Sequence, residues 1–119
     1  MAERLPVALR AEARSTDGRL VLSYRADPVP AGAVLHAAVA ERRVESRVPR
    51  GENAGRTLPH ANVVRALRTL PLARPDGELT LPLPAQLTLD RALVVAWVQR
   101  PRTMEILGAS RVPVVEGGR

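Results

Sequence analysis

The stretch LPVALRAEARSTDGRLVLSYR, from Leu5 to Arg25, decides the fold class of this chain. Apolar and charged residues alternate up to Arg14, and apolar and polar residues alternate again from Arg19. A period of two is the pattern of a β-strand with one buried face. Asp17-Gly18 separates the two alternating runs, and Asp-Gly is a strong signal for a tight hairpin turn. The stretch therefore predicts an antiparallel β-hairpin.

Further short runs that predict strands follow along the rest of the chain, and Ala92–Gln99 is the most continuous apolar run among them. They lie at Ala33–Val44, Glu78–Pro84, Ala92–Gln99 and Glu105–Val115, and loops that contain proline or glycine separate most of them. About seven or eight short strands at roughly ten-residue spacing are typical of two packed antiparallel sheets. We therefore expect an all-β chain, an antiparallel two-sheet sandwich of the immunoglobulin-like type with little or no helix.

The segment Ala61–Leu70 is compatible with two kinds of element. Its apolar residues Val63, Val64, Leu67 and Leu70 recur at the spacing of one helix face, whereas their alternation along a strand is less regular. The residues alone therefore leave helix and strand open for this segment.

The length of 119 residues fits one domain, which we place at residues 1–119 with a frayed tail at 115–119. Apolar residues make up 45% of the chain, but it contains no Phe and only one Trp. We therefore expect a core of Leu, Val and Ala side chains, with Trp97 as its one large central residue.

Charge and composition argue against several classes of function. The net charge of +6 comes entirely from arginine, and the arginines are spread along the chain. Nucleic-acid binding is not expected, because the basic residues are not clustered and aromatic residues, which stack on bases, make up only 2% of the chain. Because the chain has no cysteine, it has no disulfide, thiolate nucleophile or thiolate metal site.

The sequence shows neither an export signal nor a membrane span. Its first stretch, MAERLPVALRAEAR, carries charges every few positions where a signal peptide has an apolar segment. No uncharged apolar run approaches the length that a membrane-spanning helix needs. The chain as written is therefore expected in the cytoplasm, without a membrane span.

The most unusual combination of residues lies between Pro49 and Leu70. Gly51 and Gly55 permit a tight loop in this segment. The candidate ligand or interaction residues are Arg50, Glu52, Asn53, Arg56, His60, Asn62 and Arg65. They are compatible with an ordered loop whose polar side chains bind its own backbone, and with an anion or carboxylate site made by arginines and loop amides.

No catalytic constellation emerges from the sequence. The two histidines, His36 and His60, belong to different predicted elements, and a metal site made by both with Glu52 lacks the usual ligand spacing. We expect His36 to be partly buried with a hydrogen-bond partner. The chain is thus predicted to be neither an enzyme nor the holder of a metal or another cofactor, and an enzyme site around His60 is the last-ranked alternative.

The run RGENAGRTLPHANVVRAL, from Arg50 to Leu67, resembles the signature of a family of bacterial predicted secreted proteins grouped as domain of unknown function 1223. WVQ at Trp97–Gln99 and ILGA at Ile106–Ala109 fit the same family, and the C-terminal β domain of Omp28-like lipoproteins is more distantly similar. The resemblance implies a β-rich domain that follows a thioredoxin-like domain, a secreted or periplasmic location, and a strand at Ala61–Leu70. The thioredoxin-like domain has no counterpart in this sequence, so no redox role carries over.

These observations favour a non-catalytic β module that binds another protein, either a thioredoxin-like domain or a second copy of this chain in a homodimer. A module that binds small anions or carboxylates through the Arg50–Arg56 loop is the alternative. If the chain is an interaction module, one face of its sheet is expected to expose an apolar patch.

Overall fold

The computed structural model describes residues 5–43, 46–47, 57–58 and 61–117. Its strands are β1 (Ala8–Thr16), β2 (Arg19–Asp27), β3 (Val34–Arg43), β4 (Ser46–Arg47), β5 (Thr57–Leu58), β6 (Ala61–Pro71), β7 (Asp76–Pro82), β8 (Ala92–Gln99) and β9 (Ile106–Glu116). A single turn of 3-10 helix, Leu89–Arg91, precedes β8 and is the only helix in the described residues. The prediction of an all-β chain is therefore confirmed.

The first hairpin forms as its sequence predicts. β1 and β2 pair antiparallel from Ala8 opposite Asp27 to Thr16 opposite Arg19. The two residues between the strands, Asp17 and Gly18, have φ angles of 50° and 75°. Two consecutive positive φ angles are the conformation of the tight hairpin turn that Asp-Gly favours.

The ambiguous segment Ala61–Leu70 lies within strand β6, as the family resemblance implies. β6 pairs antiparallel with β3, from Val34 opposite Pro71 to Arg43 opposite Ala61. The short strands β4 and β5 pair antiparallel in a separate two-stranded sheet, with Ser46 opposite Leu58. Residues 44–60 therefore connect the two long strands of one hairpin.

The sheet arrangement differs from the predicted antiparallel sandwich. Seven strands form one sheet in the order β6-β3-β8-β9-β1-β2-β7. All of these pairs are antiparallel except β9 with β1, which is parallel. Because β9 pairs with both β8 and β1, it joins two antiparallel halves into one mixed sheet that is nearly closed into a barrel.

The core lies between the inner faces of the curved sheet. Its largest fully buried side chains are Leu20, Leu22, Leu35, Leu81, Leu93, Val39, Val94 and Val98, and nearly all of them belong to one hydrophobic cluster. A core of Leu, Val and Ala is thus confirmed. The prediction that Trp97 is its central filler is wrong, because Trp97 is only half-buried and lies outside the core cluster. The alternation along β8 turns Val94, Ala96 and Val98 inward and Trp97 outward.

The two edge strands of the sheet, β6 and β7, meet at a side chain rather than a backbone ladder. Arg68 in β6 donates from Nη1 to the carbonyl oxygen of Thr80 in β7 at 2.8 Å. An unpaired strand edge is a template for aggregation, and proteins protect such edges by covering them. Arg68 covers part of this seam.

Close backbone packing joins β9 to the start of β1. The amide of Val7 donates to the carbonyl of Leu107 at 2.8 Å. A Cβ on the neighbouring Gly108 would lie 2.6 Å from the carbonyl oxygen of Val7. Only glycine therefore permits this approach of the two segments.

We expect Gly108→Ala to destabilise the fold by about 1–3 kcal/mol, because a backbone oxygen cannot move aside as a side chain can. Chemical denaturation measures this loss. Ala109→Ser, on the exposed side of the same strand, is the matched control and is expected to change the free energy of unfolding by less than about 0.5 kcal/mol. Equal stability of Gly108→Ala and the wild type would contradict the proposed close packing.

We expect Arg68→Ala to open the seam between β6 and β7 and to cost about 0.5–1.5 kcal/mol. Amide hydrogen exchange should become faster along β7, since the Thr80 carbonyl loses its donor. Arg10→Ala removes an exposed arginine from β1 in the interior of the strand order and is the control. If both variants give the same exchange pattern, Arg68 does not hold the seam.

Candidate functional site

Most of the loop residues selected from the sequence lie outside the described residues. These are Arg50, Glu52, Asn53, Arg56 and His60. The first four belong to the connection between β4 and β5, and His60 directly precedes β6. Asn62 lies in β6, where its backbone is opposite Arg42 of β3. Only Arg65 of the set has a described side chain.

Arg65 forms a β-bulge in β6 and an ion pair with Glu41. The ladder passes from Val39 opposite Ala66 to Ala40 opposite Val64, which leaves Arg65 as the extra residue. Its Nε donates to Glu41 Oε1 at 2.9 Å, and its Nη2 contacts the same oxygen. The Glu41 side chain is only 15% exposed, so this pair is partly shielded from solvent.

The bulge determines where the apolar residues of β6 point. In a regular strand, residues three apart point to opposite faces. The extra residue shifts the alternation, and Val64 and Leu67 are accordingly both exposed, at 63% and 57%. Ala66 packs against the core from the opposite side.

His36 and Trp97 lie side by side on the outer side of the sheet, to which Val64 and Leu67 also point. They are directly opposite each other in β3 and β8, and their rings stack with centroids 5.0 Å apart. His36 Nδ1 also shares a hydrogen bond of 2.7 Å with the hydroxyl group of Thr69 in β6. The expected partly buried histidine with a hydrogen-bond partner is thus confirmed.

A second set of hydrogen bonds satisfies the indole. Trp97 Nε1 donates to Gln99 Oε1 at 3.3 Å, and Gln99 Nε2 donates to the carbonyl of Met104 at 2.8 Å. Gln99 is the one buried polar residue among the described residues. The polar groups around Trp97 therefore already have partners within the chain.

The outer side of β6, β3, β8 and β9 forms a surface that we call the apolar face. Its exposed or half-buried side chains include Val64, Leu67, Val34, His36, Val95, Trp97, Ile106 and Ala109. Ala38, Ala40 and Leu93 point to the same side and are buried. Alongside β8, from Ala92 to Gln99, the described side chains of this face include one exposed charged residue. This residue is Arg111 on β9, opposite Val95.

The other half of the sheet's outer face, on β1, β2 and β7, is charged. Its outward residues include Arg10, Glu12, Arg14, Arg25, Asp27, Asp76 and Glu78. Arg14 pairs with Glu78 at 3.4 Å, and Ser23 donates to the same carboxylate at 3.1 Å. The outer face of this one sheet is therefore apolar on β6, β3, β8 and β9 and charged on β1, β2 and β7.

Neither a metal site nor a membrane helix is found in the described part of the chain. No group of three or more His, Asp or Glu side chains there is arranged to hold a metal ion. No helix in this part is both long and apolar enough to cross a membrane. The hypothetical site of His36, His60 and Glu52 includes two residues outside the described ranges.

The apolar face could not be located from the sequence. Its two most exposed aliphatic residues are three apart, which is a helical spacing, and only the bulge at Arg65 brings them to one side of a strand. A continuous apolar pattern on both faces of Ala33–Ala40 was the available signal that this strand has no solvated side.

Comparison with known proteins identifies a family. The model of the family described as "Protein of unknown function (DUF1223)" matches residues 1–99. The match includes the first hairpin, the Arg50–Leu67 motif and Trp97–Gln99, whereas Ile106–Ala109 lies beyond it. No curated protein and no solved structure matches the chain. This chain belongs to the family of proteins of unknown function DUF1223.

Proposed function

We propose that this chain is a non-catalytic interaction module whose binding surface is the apolar face. The observation that carries the proposal is the exposure of Val64 and Leu67, at 63% and 57%, on the same side of the sheet as the half-buried Trp97. Single exposed aliphatic residues are common on protein surfaces, whereas contiguous apolar patches of more than a few hundred Å² are typical of interaction sites. The charged outer side of β1, β2 and β7 shows that the same sheet can be solvated by polar residues.

The polar side chains in the middle of the apolar face already have hydrogen-bond partners within the chain. His36 is bonded to Thr69, and Trp97 is bonded to Gln99. A partner therefore gains by covering aliphatic and aromatic surface without breaking hydrogen bonds, at about 25 cal/mol for each Å² removed from water. This chemistry fits a folded protein surface better than a small polar ligand.

The border of the apolar face is basic. Arg111 is exposed on β9, and the Nε of Arg42 in β3 is buried without a hydrogen-bond partner. A partner with a carboxylate at the matching edge would supply an acceptor to the exposed Arg111. A thioredoxin-like domain is the partner that the family resemblance implies, and we take it as the partner of this module.

The alternatives have less support. An anion-binding module around Arg50–Arg56 and an enzyme site near His60 both rest on residues outside the described ranges. Arg65, the described member of the candidate loop set, is bound to Glu41. The described contacts therefore favour neither alternative.

We expect the wild-type chain to bind a purified thioredoxin-like domain from a full-length member of this family. Val64→Glu and Leu67→Glu should each weaken this binding by about tenfold or more, because each places a charge in an apolar interface. Isothermal titration calorimetry measures the dissociation constants.

Val21→Glu is the matched control for this experiment. Val21 is half-buried on the outer side of β2, where it lies opposite Arg14 of β1 and Thr80 of β7, away from the apolar face. Its variant should bind like the wild type. Equal weakening by all three substitutions, or no binding by the wild type, would overturn the proposal.

A further inference from the structure

We infer that one end of the nearly closed barrel binds a small organic cation with an apolar body, such as an aryl or alkyl amine. The site is a hollow of about 550 Å³ between the β1–β2 turn, the end of β9 and the segment 83–89, and we call it the end hollow. None of the residues that line it belongs to the apolar face, so this inference does not depend on the proposed function.

The strand directions place the end hollow at one mouth of the barrel. β1 pairs antiparallel with β2 and parallel with β9, so the end of β1, the start of β2 and the end of β9 lie together. β7 pairs antiparallel with β2 and therefore ends at the same place, where the chain continues into the segment 83–89. Barrel mouths are among the places where small-molecule sites are most common.

Leucine side chains form the apolar base of the end hollow. Leu87 is buried in the hydrophobic core, and Leu83 and Leu89 are half-buried and pack against that core. The amide of Leu87 donates to the carbonyl of Pro84 at 3.0 Å, which holds the segment in a turn. Apolar surface at the base of a hollow favours a ligand whose body is also apolar, because both surfaces then leave water.

Two carboxylates border the end hollow. Asp17 lies in the turn between β1 and β2, and Glu116 is the last residue of β9, opposite Ser15 of β1. Neither carboxylate has an ion pair or a hydrogen bond in the described part of the chain. Both can therefore accept hydrogen bonds from the N–H groups of a bound cation.

The backbone holds both carboxylates in place. Asp17 has a φ angle of 50°, which Asp and Asn tolerate better than most residues, and Gly18 completes the turn with a φ of 75°. The amide of Gly117 donates to the carbonyl of Ser15 at 2.8 Å, which fixes the end of β9 beside β1. A ligand therefore does not have to order the backbone that carries its acceptors.

The charge of the end hollow is opposite to the charge of the chain. The chain carries a net charge of +6, yet no arginine is among the described residues that line the end hollow. The charged residues of the lining are both acidic, and its other polar side chains carry hydroxyl groups. An anion would face two carboxylates with no cation to offset them, so the end hollow favours a cation.

An organic cation fits the end hollow better than a metal ion does. No group of three or more His, Asp or Glu side chains in the described residues could hold a metal. A Ca²⁺ ion takes about six to eight oxygen ligands, which two separate carboxylates do not supply. An ammonium group needs only a few acceptors, and its carbon chain can cover the leucines at the base.

Titration of the purified chain with phenethylammonium chloride, followed by amide chemical shifts in two-dimensional NMR spectra, tests the inference. The amides of Gly18, Leu89 and Gly117 should shift and saturate, with a dissociation constant in the millimolar range. Asp17→Asn and Glu116→Gln should each weaken binding by about twofold to fivefold, because each removes one charge and keeps the shape of the side chain.

The controls separate the end hollow from unspecific attraction. Asn-Gly favours the same tight turn as Asp-Gly, so Asp17→Asn is expected to fold, and the spectra show whether it does. Glu12→Gln removes an exposed carboxylate from the outer side of β1 and should bind like the wild type. Phenylethanol, which has the same apolar body without the charge, should bind more weakly, and phenylpropionate should not bind.

The inference is overturned if the three amides show no saturable shift. It is also overturned if phenylethanol binds as tightly as phenethylammonium, because the carboxylates would then contribute nothing. Equal dissociation constants for the wild type, Asp17→Asn and Glu116→Gln would lead to the same conclusion.

Discussion

The parallel contact between β9 and β1 is the constraint on which the rest of this structure depends. It is short, from Ala13 opposite Val114 to Ser15 opposite Glu116, and the amide of Gly117 extends it by donating to Ser15. Without it the chain would consist of two separate antiparallel sheets. With it, the sheet curves around one core, and each half keeps an outer face of its own.

The aromatic residues show how narrow that core is. Tyr24 is the only aromatic residue in the core cluster, and Gly77 leaves the space that its ring and hydroxyl group occupy. Burial raises the pKa of the Tyr24 hydroxyl group, and the Asp76 carboxylate raises it further. Trp97 would need more room, and it lies on the outer side, where it contributes to the apolar face rather than to the core.

Local structure was largely predictable, but the topology was not. Alternation and the Asp17-Gly18 turn located β1, β2 and most later strands, because these signals depend on neighbouring residues. The parallel pairing of β9 with β1 joins residues about a hundred positions apart, and no local pattern encodes it. For the same reason, the sequence singled out the loop before β6 as the site and missed the apolar face, which four strands assemble.

The family motif and the apolar face meet in one strand, and this changes the meaning of the motif. The run from Arg50 to Leu67 ends inside β6, so it includes Val64, Leu67 and the bulge residue Arg65. Arg65 is fixed by Glu41, and the bulge turns both aliphatic residues outward. If the motif served only to shape the loop, the ion-paired bulge that follows the loop would not be needed. The C-terminal part of the motif is better explained by the apolar face, since it places two exposed aliphatic side chains on the edge strand of the sheet.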